Sequence, residues 1–217
     1  MSAMSALDAT SLAGRHIAHC VVAATLVAAL GFGALWWGTD GLTAYTAETA
    51  RRVEVLRAPR PLPPALLEDQ YGREFSLDEY RGRLLAVEFI YTHCDTICLA
   101  LGMAFKQIRE HVPQQSLGRD FALLSISFDP ARDDPARMSE YARIFGADGA
   151  HWRIARVRDA AHLEALLDAF GIIVIDDGRG GFEHNAAIHL VGRDGRLAEI
   201  SDLDEIAPFI DRIGALL

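Results

Sequence analysis

Eight residues, Leu84-Leu85-Ala86-Val87-Glu88-Phe89-Ile90-Tyr91, form an apolar run broken by a single acid. The run has the length of a strand buried on both faces. Directly behind it, Leu101, Phe105, Ile108 and Val112 recur at three- and four-residue intervals, which predicts a helix over Leu99 to His111. The corner between strand and helix carries Cys94 and Cys98. Backbone N–H groups are unpaired at a helix N-terminus and the dipole there is positive, so the position predicts thiolates and lowered thiol pKa values. Helical Cα atoms four residues apart are about 6 Å from each other, within disulfide range. The pair can therefore close as a disulfide or clasp a metal. The competing reading is two buried, inert cysteines.

The rest of the C-terminal part fits around that corner. Leu66 to Leu77 reads as two short strands about a Gly-containing turn. Phe121 to Phe128 is a second buried strand, and Pro135 opens a helix through Phe145. Trp152 to Val157 is a short strand. Asp159 caps a helix that Gly171 stops, and the β-branched run Ile172 to Ile175 follows. Ala186 to Val191 and Leu197 to Ile200 form a hairpin, and Asp204 to Leu217 closes as an amphipathic helix. Strand, helix, strand, helix and then a hairpin predict an α/β fold: a thioredoxin-like mixed sheet with flanking helices.

Ahead of this domain, Ile17 to Trp37 is almost wholly apolar. At 1.5 Å per residue it spans a bilayer core of about 30 Å. Trp36 and Trp37 stand where an interfacial aromatic belt belongs. An uncleaved anchor is the reading; a cleaved signal peptide, with a shorter apolar core and a small-residue site, is the alternative. Cys20 lies inside this run as a small apolar residue. Thr43 to Arg57 is a candidate juxtamembrane helix, and Pro59, Pro61, Pro63 and Pro64 make the next stretch an extended spacer. The expected organisation is a tail over 1–16, a transmembrane anchor over 17–37, a juxtamembrane segment and Pro-rich linker over 38–64, and the thioredoxin-like domain over 65–217. The formal net charge of −9 argues against nucleic acid as a partner. With three cysteines there is at most one intramolecular disulfide, so the chain is no disulfide scaffold.

Among the eight histidines, His16 and His19 belong to the anchor region. His111, His151 and His162 sit on or beside helices, as solvated or capping residues. His189 alternates within a strand and reads as buried and hydrogen-bonded. His184 differs: it precedes a core strand and follows a Gly-rich loop. In a thioredoxin-like sheet that strand neighbours the cysteine strand, and its entry faces the cysteine turn. Two thiolates and one imidazole form a soft three-coordinate set suited to Cu(I) and tolerant of Cu(II). Zinc would call for a fourth ligand. His93, adjacent to Cys94, is an alternative ligand that would need an awkward backbone.

These pieces together resemble the SCO family, the SCO1/SenC-type copper proteins of cytochrome oxidase assembly. The resemblance covers Leu66 to Leu217 and rests on three motifs: Tyr91-Thr92-His93-Cys94-Asp95-Thr96-Ile97-Cys98, the loop Ser127-Phe128-Asp129-Pro130-Ala131-Arg132-Asp133-Asp134-Pro135, and His184 before Ala186-Ala187-Ile188-His189-Leu190-Val191. It implies copper ligands at Cys94, Cys98 and His184, with Cys94 and Cys98 also a redox-active pair. It implies an accessory acid at Asp129, which tunes the thiolates or meets a partner; a turn-capping role is the alternative. The family's usual proline after each cysteine is replaced here by Asp95 and Leu99.

The implied function is a membrane-anchored copper chaperone serving the dinuclear copper site of a cytochrome c oxidase. Its implied partners are the copper-receiving subunit and a thiol reductant or second copper chaperone. The alternative is a thiol–disulfide oxidoreductase that reduces a partner's cysteines before metallation. A peroxidase-like enzyme would need an arginine beside Thr92 and the first cysteine, and the sequence singles none out. The expected location is a bacterial inner membrane with the domain in the periplasm; the alternative is a mitochondrial inner membrane facing the intermembrane space.

Overall fold

The computed structural model describes residues 4–39, 41–42, 46–94 and 97–217. It separates into two compact units, Met1–Val53 and Glu54–Leu217. In the first, helix α1 runs Met4–Gly38. Its Ala18–Gly38 stretch has mean hydropathy 2.0 and none of it is buried. By length and composition this stretch can cross a bilayer; a signal sequence passes the same test. Within it Thr25 Oγ1 donates to the Val21 carbonyl at 2.8 Å, which satisfies the hydroxyl without water. Helix α2, Ala47–Arg57, follows, with the Thr46 hydroxyl accepting from Thr49 N at its start. Residues 43–45 of the expected juxtamembrane helix lie outside the described residues.

The second unit is built on an eight-stranded sheet. Its strands are β1 (Arg60–Pro61), β2 (Leu66–Asp69), β3 (Glu74–Ser76), β4 (Leu84–Ile90), β5 (Phe121–Ser127), β6 (Trp152–Val157), and, beyond a separate hairpin of β7 (Val174–Asp176) with β8 (Phe182–His184), β9 (Ile188–Val191) and β10 (Arg196–Ser201). The order is β1-β10-β9-β4-β5-β6-β2-β3, with β4, β5 and β6 parallel and the other pairs antiparallel. Helices α3 (Ile97–His111), α4 (Pro135–Phe145), α5 (Ala160–Phe170) and α6 (Ile206–Leu216) complete it. This is the thioredoxin-like mixed sheet that the strand and helix order predicts.

Every residue of β4 and β5 is buried, as the near-continuous apolar runs require of central parallel strands. The helix ends follow their local chemistry. Asp134 accepts from Arg137 N ahead of Pro135, and Asp159 accepts from His162 N. Gly171 ends α5 at φ 69°, in the left-handed region. On α3, Gly102 admits the Phe145 ring so closely that a Cβ there would lie 2.7 Å from it. The Pro-rich stretch is extended, as fixed φ angles dictate, and its Arg60–Pro61 pair is an edge strand against β10. Proline is tolerated there because an edge leaves one row of ladder positions unused.

The apolar, β-branched run Ile172 to Ile175 does not join the core sheet. Only Ile172 is buried, while Ile173 and Ile175 are 63% and 59% exposed. Both sides of β4 are already occupied, by β5 and β9. The chain instead leaves Gly171 into the small β7–β8 hairpin, where Val174 faces His184 in register. Asn185 pins the hairpin root, accepting from Ile173 N at 2.7 Å and donating to Gly171 O at 3.0 Å.

Candidate metal centre

Strand β4 points its C-terminal end at the cysteine turn. Cys94 is half-buried in that turn and Cys98 is fully buried in the first turn of α3. Cys98 N donates to Cys94 Sγ at 3.3 Å, the helix-end donor that the strand-to-helix corner predicts. For Cys98 the thiol itself departs from expectation. Burial, reinforced by the neighbouring Cys94 side chain, pushes it well above the ordinary range, against a smaller opposing contribution from the Tyr91 backbone. The helix end does not prevail because the sulfur is sealed from water.

Strand β9 runs antiparallel to β4, Val87 facing His189, so the segment before β9 returns to the cysteine end of the sheet. There His184, on β8, places Nε2 3.8 Å from Cys98 Sγ. Burial lowers the His184 pKa, against a backbone interaction with Asn185, so the imidazole is neutral at neutral pH. Its Nδ1 is buried and has no hydrogen-bond partner among the described residues. A sulfur about 2.3 Å and a nitrogen about 2.0 Å from one ion, roughly 120° apart, are about 3.7 Å from each other. The spacing of Cys98 and His184 fits a shared trigonal ion, and the donor set is soft.

Aromatic rings fix this histidine. Phe128 packs edge-on against His184 at 4.9 Å between centroids, and Tyr91 packs on Phe128 and Phe182 at 5.3 and 5.4 Å. The Tyr91 hydroxyl donates to Phe182 O and accepts from Phe182 N, both at 3.3 Å.

The loop after β5 holds the other side. Asp133 is fully buried: Oδ2 accepts from Thr92 N at 3.0 Å and from Ser127 Oγ at 2.5 Å, and Oδ1 accepts from Thr92 Oγ1 at 2.6 Å. Asp129 is also buried, and its carboxylate accepts from Arg132 Nε. His93, the alternative ligand, is turned to this loop, with Nδ1 3.6 Å from Asp133 and Nε2 3.3 Å from Arg137. Ligand-type atoms of His93, Asp129 and Asp133 lie within 4.8 Å of one another. The carboxylates there already accept from Thr92, Ser127 and Arg132, so the group works as a clamp on the cysteine turn.

The remaining sequence candidates fall elsewhere. Cys20 lies exposed on α1. His189 is buried, with Nδ1 3.2 Å from Val87 O and its ring against Phe89 and Phe170. His111, His151 and His162 bond locally, to Gln107 O, Asp148 and Asp159. Asp95, after the first cysteine, is outside the described residues, and Leu99, after the second, is exposed. Sequence reasoning did not single out Tyr91, Arg132, Asp133 or Phe182 for roles at the site. Asp133 had a legible signal, a second acid four residues after Asp129 in a loop already quoted for its motif.

Two cysteines on the corner after the first core strand, with a histidine returned to them ahead of the neighbouring antiparallel strand, define a thioredoxin-like protein with a Cys-x3-Cys and histidine centre. The family model SCO1/SenC matches residues 63–215, and the chain belongs to that family. The SCO1 protein homolog of Bacillus subtilis is 24% identical over 152 residues, 69% of this chain and 78% of that protein. The copper-bound structure of Bradyrhizobium japonicum ScoI aligns with TM-score 0.59 and 25% identity, over 70% of this chain and 98% of its own. BsSco, described as a member of the Sco family of cytochrome c oxidase assembly proteins with a disulfide switch, aligns with TM-score 0.60 and 22% identity, over 74% and 96%.

Proposed function

We propose that this chain is a membrane-anchored copper-binding protein that carries copper to the dinuclear copper site of a cytochrome c oxidase during assembly. The observation that carries the reading is the convergence of Cys94, Cys98 and His184 at one end of the sheet, with Nε2 3.8 Å from Cys98 Sγ. Family membership and copper in the B. japonicum relative support it.

Copper is the cargo. Cys94 and Cys98 hold it as thiolates and His184 as a neutral imidazole. Thiol protons leave as the metal enters. The high Cys98 pKa makes its proton a competitor of the ion. Two thiolates and one imidazole suit Cu(I) and accept Cu(II). The half-buried Cys94 is the ligand a partner's thiol can reach first, which makes stepwise handover to a copper-receiving oxidase subunit feasible. The Ala18–Gly38 helix supplies the anchor, with the domain on the periplasmic face of a bacterial inner membrane.

The test is anaerobic copper titration of the reduced full chain in detergent, beside His184→Ala. The expected result is one copper per chain, bound more weakly by the variant, and transfer to an apo dinuclear copper domain. A folded wild-type chain that binds no copper overturns the reading. The Cys98 N–H on Cys94 Sγ favours one second reading, a dithiol that reduces a partner's disulfide. That activity would survive His184→Ala unchanged.

A further inference from the structure

We infer that Asp129 and Arg132 form a latch that positions His184 by tying the β7–β8 hairpin to the end of β5. The inference rests on the copper reading, because it assigns these residues a role in placing the third ligand.

The hairpin needs such a device. It belongs to a two-stranded sheet of its own, so no rung of the main ladder fixes its height over the cysteine turn. Asn185 holds its root, and Tyr91 holds Phe182. The loop between its strands is held by Arg132. The guanidinium donates from Nε to the Asp129 carboxylate and from Nη1 to Gly180 O, and lies 5.2 Å over the Phe182 ring, two residues before His184. A planar fork is suited to these three simultaneous contacts, and an ammonium is not.

Asp129 is the fixed end. Its backbone N donates to Ser127 Oγ at 3.0 Å, and that hydroxyl donates to the buried Asp133. The chain of contacts runs from Asp133 through Ser127 and Asp129 to Arg132 and the hairpin. This gives Asp129 a different task from the two expected of it. Its charge is engaged with Arg132, and it acts on the metal site through the position of His184.

The test uses the full chain in detergent with Arg132→Met, which keeps the stem and removes the fork, and Arg132→Lys and Asp129→Asn beside it. Amide hydrogen exchange is read first without metal. In Arg132→Met, amides of residues 174–184 should exchange about tenfold faster or more, with those of α3 unchanged. Cu(II) is then added, and nitrogen coupling in the electron paramagnetic resonance spectrum reports the imidazole. It should weaken in Arg132→Met toward the spectrum of His184→Ala, stay intermediate in Arg132→Lys, and Cu(I) stoichiometry should stay at the wild-type value. Arg132→Met with wild-type hairpin exchange and wild-type nitrogen coupling overturns the latch. A wild-type chain that takes no copper sinks the copper reading instead, and the metal-free exchange still decides whether Arg132 holds the hairpin.

Discussion

The cysteine turn and the histidine hairpin meet at one site but are built in different ways. The turn is continuous with β4, a strand buried along its whole length, and Asp133 ties it to β5 through three hydrogen bonds. The hairpin lies outside the ladder and hangs from side chains: Asn185, Tyr91, Arg132 and a cluster of rings. Two of the proposed ligands are thus set by the fold and the third by an arm. A ladder opens as a unit, whereas an arm on a few side chains opens at lower free energy. The difference suits the proposed carrier role, in which the ion is kept by two ligands while the third releases it.

The largest break in this comparison comes from the ligands themselves. Cys94→Ser or Cys98→Ser should lower Cu(I) affinity on the order of a thousandfold or more, since each thiolate supplies several kcal/mol of binding. His184→Ala should cost Cu(I) only about tenfold and Cu(II) much more, because a soft monovalent ion is content with two sulfurs. Competition titrations with a Cu(I) chelator measure both. Equal losses from all three variants would mean that the arm is as integral as the turn.

Next in size is the clamp. Asp133→Ala leaves Thr92 N and the hydroxyls of Thr92 and Ser127 without their buried acceptor. The expected loss is about 2–4 kcal/mol of stability in denaturant unfolding. Asp133→Asn retains part of the acceptor set and should lose less. A variant as stable as the wild type would show that the turn is held by β4 alone.

The same contrast governs what could be read in advance. The main sheet was legible because its signals are local: apolar runs for β4 and β5, Asp134 and Asp159 as caps, Gly171 as a stop. The place of His184 beside Cys98 followed from the order of strands. The hairpin was not legible. Ile172 to Ile175 has the composition of a core strand, and composition does not reveal that both flanks of β4 are already taken. Nor was the latch. Arg132 and Asp129 look in sequence like turn residues near a cap, and their reach to Gly180 spans 48 positions. The Cys98 thiol went the other way from expectation because a helix N-terminus is a sequence feature and full burial is not.

Under the turn, Glu88 offers a finer probe of the ladder side. It is fully buried on β4, with Ser125 Oγ donating to Oε1 at 2.5 Å, and burial raises its pKa from 4.5 to about 8. A raised native pKa means the native state binds the proton more tightly than the unfolded state. Its contribution to stability is therefore complete below about pH 4.5 and is lost as pH rises toward about 8. Wild type should lose on the order of 3–4 kcal/mol between pH 5 and pH 8 relative to Glu88→Gln. Parallel stability profiles for the two proteins would show that the carboxyl is ionised and paired in the native state.

The smallest expected effect isolates the arm. Tyr91→Phe keeps the ring against Phe128 and Phe182 and removes the hydroxyl that bonds both backbone groups of Phe182. Tyr91 stands at the end of β4, so its hydroxyl joins ladder and arm directly. Deleting its hydroxyl should cost about 1 kcal/mol or less in global stability, because each bond is 3.3 Å long and Phe182 is only half-buried. If the turn and the arm are mechanically separate, hydrogen exchange should quicken in 174–184 and remain unchanged in α3. If exchange quickens equally in both, the Tyr91 hydroxyl couples them, and loss of the third ligand would then loosen the other two.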